Sequence, residues 1–451
     1  MTGRQSVRMT EARSVQRAVK PWSNWGRSES GHPVARVSPT TVEAVQDAVV
    51  RARTTGQTVK AIGAGHSFSA IAVTDGVQLS LDGLSGLLSV DAGKQQATFA
   101  AGTRLFDVPG LLAPYGLAMP NLGDIDRQSL AGAISTGTHG TGAAFGGIAT
   151  QVTGMVVVTA DGGLLCADRE QNSELLPALR VGLGALGIIV EVTLQCVPAF
   201  SLQAVEKPIP LDEVLATLDE RFETEDHFEF HWFPHSEVAS TKTNTRRMGH
   251  ESLRPRGALD RFLGDTVVAN GLFRALCNVE RLVPALTPGV NRIAARQFAN
   301  AEFTDASHRV FATSRGVRFR EMEYALPRAE LIPVFQQVRE LIGKRGWRIE
   351  FPIEVRAAAA DENWLSTAYG RETGYLAVHR FFRHTEAEFF PAVEEIFTAH
   401  GGRPHWGKMH TRELAYLQGV YPKMPDFLEL RRELDPTGLF GNAYLRRVLG
   451  G

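Results

Sequence analysis

The chain has 451 residues, which is long enough that two domains are expected rather than one continuously growing core. Its 48 basic and 49 acidic side chains leave a net charge of −1, so no global attraction to nucleic acid is expected and a small molecule is the favoured partner. Three scattered cysteines, Cys166, Cys196 and Cys277, are too few for a disulfide framework or a cysteine metal cluster. We therefore expect no metal site and a reducing, cytoplasmic environment.

The N-terminal region and the hydropathy pattern predict no membrane span. Residues 1–20 mix arginines with polar residues and lack the apolar core of a signal peptide. No run approaches the roughly 18 apolar residues that a spanning helix needs. Peripheral membrane association through the basic loop around Arg246 to Arg256 stays open, although a solvated loop is the simpler interpretation.

The first part of the chain predicts one α+β domain over residues 1–197. Thr40 and Glu43 have capping-box spacing, and apolar residues at helical spacing follow as far as Gly56. A helix is expected over residues 104–115, with a break at Pro109. Short apolar runs predict strands at residues 59–62, 77–81, 87–90, 97–100, 155–159, 164–167 and 188–197.

The second part, residues 198–430, predicts a substrate domain in which helices cover a sheet. Prolines within residues 198–210 indicate the connection between the domains. Helical patterns occur at residues 211–222, 259–298, 331–342 and 389–397, and strand patterns at residues 227–233 and 347–356. Residues 241–257 are polar and basic, and we expect them to form a surface loop.

Two glycine-rich stretches are candidates for holding a diphosphate. Small residues let backbone N–H groups approach phosphate oxygens closely. Alone, each stretch could equally be an ordinary turn, and His66 could be a hydrogen-bonded loop residue. The first stretch is Gly63-Ala64-Gly65-His66-Ser67-Phe68-Ser69, and the second runs from Thr136 through Thr138-His139-Gly140-Thr141-Gly142.

Glu354 and Arg356 are candidates for catalysis because they lie two residues apart on a predicted strand and so project from the same face. A carboxylate can accept a proton and a guanidinium can stabilise negative charge, so both could line one pocket. A surface salt bridge is the alternative for this pair, and an isolated lysine such as Lys408 is most often solvated.

These stretches, in order along the chain, resemble motifs of the vanillyl-alcohol-oxidase superfamily, and more closely its sugar-lactone and alditol oxidoreductase branch. The resemblance covers nearly the whole chain, from Trp25 to Gly450. Five ordered motifs are much more specific than any one alone. Besides the two glycine-rich stretches they are Pro352-Ile353-Glu354-Val355-Arg356, His405-Trp406-Gly407-Lys408 and a tail pattern that includes Asp435, Pro436, Phe440, Asn442, Tyr444 and Arg447.

The resemblance implies a two-domain FAD-binding fold of the PCMH type, with a substrate domain of antiparallel sheet covered by helices. The tail, residues 431–451, would return to the FAD domain. His66 would bond covalently to the 8α carbon of FAD, and Glu354, Arg356 and Lys408 would be catalytic. The other implied cofactor-binding residues are Gly63, Ala64, Gly65, Ser67, Phe68, Ser69, Gly123, Asp124, Thr136, Thr138, His139, Gly140, Thr141, Gly142 and Ile188.

The implied activity is FAD-dependent oxidation of an aldono-1,4-lactone, such as L-gulono-1,4-lactone, to an ascorbate-type product. An alditol oxidase and a flavin-binding redox protein without sugar turnover are the alternatives. Asp124 stands where alditol oxidases carry a serine, which weakens the first alternative. Electrons would pass to oxygen or to a cytochrome- or quinone-like acceptor, and the small Gly123 leaves space for oxygen. His379 and His405 are further pocket candidates, although a lone histidine is more often structural.

Overall fold

The computed structural model describes residues 19–248, 253–257, 271, 273–297, 300–313, 316–385 and 387–451. The strands are β1 Trp22–Ser23, β2 Ser30–Gly31, β3 Ala35–Val37, β4 Val59–Ile62, β5 Val77–Ser80, β6 Leu87–Asp91, β7 Gln96–Ala100, β8 Leu117–Ala118, β9 Val152–Val158, β10 Leu164–Ala167, β11 Ile188–Gln195, β12 Val197–Pro198, β13 Ser201–Pro210, β14 His227–Trp232, β15 Val238–Arg247, β16 Ala301–Ala306, β17 Phe319–Pro327, β18 Ile353–Ala358, β19 Thr373–Phe381 and β20 Arg403–Pro404. The α-helices are α1 Val42–Thr54, α2 Val108–Leu112, α3 Leu130–Ser135, α4 Leu176–Arg180, α5 Leu211–Ala216, α6 Leu218–Thr224, α7 Phe273–Leu282, α8 Thr287–Gln297, α9 Ser307–Phe311, α10 Leu331–Arg345, α11 Phe389–Ala399, α12 Leu414–Val420, α13 Met424–Leu434 and α14 Ala443–Leu449.

The N-terminal half contains two sheets around one apolar core. Strands β3, β5 and β4 form a parallel sheet, and β10, β9, β11, β7 and β6 form an antiparallel one. Helix α1 is capped by Thr41, whose hydroxyl accepts a hydrogen bond from the Ala44 N–H at 3.2 Å, so the cap lies one residue later than predicted. Val45, Val49 and Ala52 on its inner face are buried in that core.

The C-terminal half is built on a sheet in which eight strands are described, in the order β16-β13-β15-β14-β18-β19-β17-β20. Alternation of side chains assigns its two faces. Phe228, Phe230, Met322 and Val355 face a core formed with α5, α6, α10 and α11. The intervening residues, among them Glu229, Glu321, Glu323, Glu354 and Arg356, point to the opposite face and are also buried. A sheet that is covered on both faces but has carboxylates on one of them contains a polar internal site.

The prediction of a surface loop over residues 241–257 is wrong for the first seven residues. Residues 241–247 belong to β15, which pairs with both β13 and β14. Thr241, Thr243 and Thr245 are β-branched residues at alternate positions, and that strand signal outweighs the polar composition. Of the predicted helical stretch 259–298, residues 259–270, 272 and 298 lie outside the described part, and most of the remainder forms α7 and α8, with a short 3-10 helix, Pro284–Leu286, between them.

The C-terminal helices α12, α13 and α14 pack against the core of the N-terminal half through Leu417, Phe427 and Leu445. Asn442 caps α14 by accepting the Leu445 N–H at 2.8 Å, and its amide donates to the carbonyl oxygens of Ala70, Ile71 and Val73. The tail thereby anchors the segment that follows the first glycine-rich stretch.

Across the helices that the structure describes, none has both the length and the apolar character needed to cross a membrane.

Candidate active site

The first glycine-rich stretch forms a tight turn after β4, beside the start of α3. A Cβ atom at Gly63 would lie 2.1 Å from the Ser129 hydroxyl oxygen, so a side chain there would collide with the residue that caps α3. Gly65 has φ +69°, a left-handed conformation that glycine adopts without strain. Backbone groups therefore line this turn, as close approach to a phosphate requires.

A narrow cavity of about 110 Å³ runs along this turn. Its lining includes Gly63, Gly65, Ser129, Gly184 and Ile188. It meets a second cavity of about 580 Å³, and His66, Ser67, Gln128 and Thr136 line both. A narrow, glycine-lined channel that opens into a wide chamber fits the diphosphate and the ring system of FAD respectively.

Lys60 is a buried lysine in the lining of the narrow cavity. Its ammonium lies 3.1–3.3 Å from the carbonyl oxygens of Leu183, Gly184 and Phe440. Burial lowers the pKa of Lys60 to about 7, and Arg431 adds to this effect. A bound diphosphate would favour the charged form of this lysine, because an anion stabilises a neighbouring ammonium.

His66 lies where the two cavities meet, with its ring centroid 5.6 Å from that of Trp25. Burial, together with the charges of Arg104 and Lys408, lowers the pKa of His66 to about 4. The imidazole is therefore neutral near pH 7. A neutral imidazole has the lone pair that attack on an electrophilic carbon requires.

The second glycine-rich stretch joins the N-terminal half to the large sheet. The Thr141 hydroxyl donates to the Phe228 carbonyl at 2.6 Å, and the Gly142 N–H donates to the Ala357 carbonyl at 3.0 Å. A Cβ atom at Gly140 would lie 2.2 Å from the Leu122 carbonyl oxygen, so only glycine fits this crossing. These bonds hold His139 over the polar face of the sheet.

Arg356 lies between two buried carboxylates on that face. Its Nε lies 2.8 Å from Glu229 Oε2, and its Nη2 contacts Glu354 Oε1. Burial opposes the charge of Arg356, but Glu354 and Glu229 outweigh that effect and raise its pKa. The guanidinium therefore stays charged and holds the Glu354 carboxylate in one orientation.

A second group forms around Glu321, and we call Glu321, Lys408, His379 and Glu354 the Glu321 cluster. The Lys408 ammonium lies 2.5 Å from Glu321 Oε2, and His379 Nε2 lies 3.5 Å from Glu321 Oε1. Burial opposes ionisation of Glu321, but Lys408 and His379 together lower its pKa to about 2. Burial likewise opposes the charge of Lys408, whereas Glu321 raises its pKa, so this pair stays ionised.

A third group, the Glu323 cluster, consists of Glu323, His139 and His405. His139 Nε2 lies 3.3 Å from Glu323 Oε1, and its ring stacks on Tyr375 with centroids 3.6 Å apart. His405 Nδ1 accepts the Gly407 N–H at 3.0 Å. Burial opposes ionisation of Glu323, but His139 holds its pKa well below the usual value.

The large cavity brings together most of the residues that the sequence singled out. Glu354, Arg356, Lys408, His66, Ser67, Phe68, Gly123, Asp124, Thr136, Thr138 and His139 line it. Gly63, Ala64, Gly65 and Ile188 line the narrow cavity. Four residues line neither: Gly140, Thr141 and Gly142 face the sheet instead, and Ser69 donates to the Trp406 carbonyl at 2.7 Å.

Sequence reasoning missed Glu229, Glu321 and Glu323, which also line the large cavity. A signal for them exists. Each lies on a strand in which apolar residues alternate with charged ones. Glu229 lies between Phe228 and Phe230, and Glu323 lies between Met322 and Tyr324. A carboxylate at alternate positions of an otherwise apolar strand indicates a buried polar face, but the pattern does not reveal which strands are neighbours.

Comparison with known proteins agrees with this geometry. A model described as D-arabinono-1,4-lactone oxidase matches residues 192–448, and one described as FAD binding domain matches residues 33–167. L-gulono-1,4-lactone dehydrogenase of Mycobacterium tuberculosis is 41% identical over 429 residues, covering 95% of this chain and 99% of that protein. L-gulonolactone oxidase of Bos taurus is 33% identical over 434 residues, covering 95% and 98%.

Among solved structures, one titled solvent-stable cholesterol oxidase superposes with a TM-score of 0.81 at 20% sequence identity, covering 94% of this chain and 96% of that one. At that identity the likeness concerns the fold. The predicted PCMH-type fold, FAD as cofactor and an oxidoreductase acting on sugar lactones are confirmed by these matches together. The chain belongs to the D-arabinono-1,4-lactone oxidase family of FAD-dependent aldonolactone oxidoreductases.

Proposed function

We propose that this protein oxidises L-gulono-1,4-lactone or a close stereoisomer at the hydroxyl carbon beside the lactone carbonyl. The observation that supports this most strongly is the polar lining of the 580 Å³ cavity, to which Glu354, Arg356, Lys408 and His66 all contribute. Bound FAD supplies the hydride acceptor at its N5 position. The remaining tasks belong to the chain: to bind the hydroxyl groups, to accept a proton and to stabilise negative charge.

Each of the three residues has a role that follows from its contacts. Glu354 accepts a hydrogen bond from a substrate hydroxyl, in an orientation fixed by Arg356. Arg356 and Lys408 remain cationic and stabilise negative charge on the substrate oxygens and on the reduced cofactor. The buried partners Glu229 and Glu321 keep both cations in place.

Covalent attachment of FAD through His66 is part of the proposal. Its support is the neutral state of this imidazole at the junction of the two cavities. Acid precipitation of the purified protein tests it: the wild-type pellet should be yellow and the His66→Ala pellet colourless. A colourless wild-type pellet would reject the bond while leaving the oxidation itself to be judged by turnover.

We also propose a division into domains at residues 197 and 430 and a cytoplasmic location, with peripheral membrane association as the alternative. The electron acceptor is proposed as well. Gly123 lines the large cavity, which supports access by oxygen. A cytochrome- or quinone-like acceptor is the other possibility. Air is admitted to the reduced protein to identify the acceptor. If the flavin absorbance returns rapidly and peroxide is released, oxygen is the electron acceptor. Slow return would mean that the protein is a dehydrogenase.

An alditol oxidase is the second candidate, because a wall rich in carboxylates accepts hydroxyl hydrogens from an open-chain polyol as readily as from a lactone. Steady-state turnover of L-gulono-1,4-lactone, D-arabinono-1,4-lactone, xylitol and sorbitol separates the two. We expect kcat/KM to be higher for a lactone than for either polyol. The reverse order would establish the polyol function, and binding without turnover of any of them would indicate a redox module.

A further inference from the structure

We infer that His379, rather than Glu354, accepts the proton of the reacting hydroxyl, and that the two side chains together recognise a vicinal diol. This inference deepens the proposed function and rests on it. His379 lies on β19 and lines the large cavity, where it is 6% exposed. It is the direct cross-strand partner of Glu321 on β17.

The hydrogen bonds of His379 leave its inner nitrogen available as a base. Nδ1 lies 2.9 Å from the Pro352 carbonyl oxygen, which can only accept a hydrogen bond. When the ring is neutral, Nδ1 therefore carries its proton and Nε2 carries the lone pair. Pro352 directly precedes β18, so the strand that carries Glu354 also orients this imidazole.

Other groups on this wall are poorer proton acceptors. Lys408 and Arg356 remain protonated because of Glu321 and Glu354. Burial raises the pKa of Glu321, but the Lys408 ammonium outweighs burial and lowers it, so this carboxylate is a weak base. Glu354 already shares its negative charge with Arg356 through Oε1.

The distance between the two acceptors suggests what they bind. His379 Nε2 and Glu354 Oε2 lie 4.0 Å apart. One hydroxyl has a single hydrogen and cannot donate to both, whereas two hydroxyls on adjacent carbons can each donate to one acceptor at ordinary hydrogen-bond length. An aldono-1,4-lactone carries such a pair beside its carbonyl.

In the step that we infer, the hydroxyl next to the carbonyl donates its proton to His379 Nε2, and its neighbour donates a hydrogen bond to Glu354 Oε2. The C–H hydrogen leaves with its electron pair to FAD, and the O–H electron pair forms the carbonyl bond. Glu321, 3.5 Å from Nε2, stabilises the imidazolium that results. The lone pair and the flanking carboxylate correspond to the arrangement of a histidine general base.

The test compares His379→Asn with the wild type in anaerobic flavin reduction. Asparagine retains an N–H that can donate to the Pro352 carbonyl but has no basic nitrogen. We expect the limiting reduction rate to fall by a factor of about 10² to 10⁴, as for loss of a general base, with substrate affinity changed by less than about tenfold. His235→Asn is the matched control, because His235 also contacts a backbone carbonyl, that of Trp347, but does not line the cavity.

The limiting rate of anaerobic flavin reduction is the decisive readout. A His379→Asn variant that keeps the wild-type rate overturns the inference and returns the proton to Glu354.

Labelling with ¹⁵N-histidine gives a readout that does not depend on activity. A neutral ring protonated on Nδ1 is expected for His379, identified by its absence from His379→Asn. A ring protonated on Nε2 throughout the active pH range would overturn the inference. The wild type is first screened with lactones and polyols. The variant is then compared with the wild type on the compound that reduces the wild-type flavin. Failure of the lactone assignment thus appears in the wild type, and failure of the His379 role only in the variant.

Discussion

The Glu321 and Glu323 clusters start from carboxylates two residues apart on the same face of β17, yet their partners differ. Glu321 is bound by the Lys408 ammonium and lies beside His379 and Glu354. Glu323 is bound by His139, which comes from the glycine-rich stretch and stacks on Tyr375. In our proposal, the first cluster binds and deprotonates the alcohol. The second joins the second glycine-rich stretch to the sheet, so we propose that neighbouring glutamates serve chemistry in one case and placement of the flavin in the other.

The largest effect is expected from Lys408→Met. Loss of this cation removes charge stabilisation from the substrate side and leaves Glu321 without its closest partner, so the flavin reduction rate should fall about 10³-fold. Flavin content per protein should stay near that of the wild type. Lys344→Met is the control, because Lys344 pairs with Glu340 on the exposed face of α10. A loss of bound flavin, with an unchanged reduction rate for the flavin that remains, would mean that Lys408 serves flavin binding instead.

His139→Ala should have the opposite signature. The change removes the Tyr375 stack and leaves the buried Glu323 carboxylate without its nearest imidazole, a loss worth roughly 3 kcal/mol for a buried charged group that loses its partner. We expect less flavin in the purified protein and a lower melting temperature, with a smaller effect on the reduction rate of the flavin that remains. The exposed His32→Ala serves as control. Full flavin content with a strongly reduced rate would mean that His139 acts on the substrate.

Glu321 should make the free energy of unfolding depend on pH in the acid range. Its pKa is lowered to about 2 in the folded protein, mainly by Lys408, from 4.5. A lowered carboxyl pKa contributes stability that is complete above the unfolded value and is lost as pH falls from about 4.5 towards about 2, up to on the order of 3 kcal/mol. In Glu321→Gln this part of the acid dependence should be absent. Urea unfolding at a series of pH values measures it, and parallel curves for variant and wild type would contradict the prediction.

Gly123→Ala should have the smallest effect. The added Cβ atom would lie 3.1 Å from the His139 carbonyl oxygen and 3.2 Å from Thr138 Cγ2, a tight fit that a slight shift of the loop relieves. Because the methyl group takes space in the cavity without touching the Glu321 cluster, oxygen reactivity should fall while anaerobic reduction changes less than about threefold. Stopped-flow reoxidation measures the first and anaerobic mixing the second. Unchanged oxygen reactivity would remove Gly123 from the path of oxygen.

Much of the site could be predicted because its motifs are local. Each motif lies within a few residues of sequence, as do the glycine turn before His66 and the pair Glu354 and Arg356. The order of these motifs along the chain resembles that in one superfamily. The fold class was predictable for the same reason. The polar composition of β15 concealed a strand, since its pairing with β13 and β14 is decided by distant residues.

The partners of the predicted residues were beyond sequence reasoning. Glu229 and Arg356 are separated by 127 residues, and Glu321 and Lys408 meet only because β17, β19 and the segment after β20 adjoin. His379 shows the limit most clearly. Its Nδ1 contact with Pro352 sets the tautomer, and nothing in the neighbouring sequence predicts that contact.

The central claim is that a sugar lactone bound at the Glu321 cluster reduces a flavin held beside His66. Anaerobic titration of the purified holoprotein with L-gulono-1,4-lactone, followed by the visible absorbance of the flavin, tests it most directly. We predict complete bleaching at about one lactone per flavin, with xylitol bleaching more slowly at equal concentration. A flavin that stays oxidised in excess lactone but is bleached by xylitol would contradict the account.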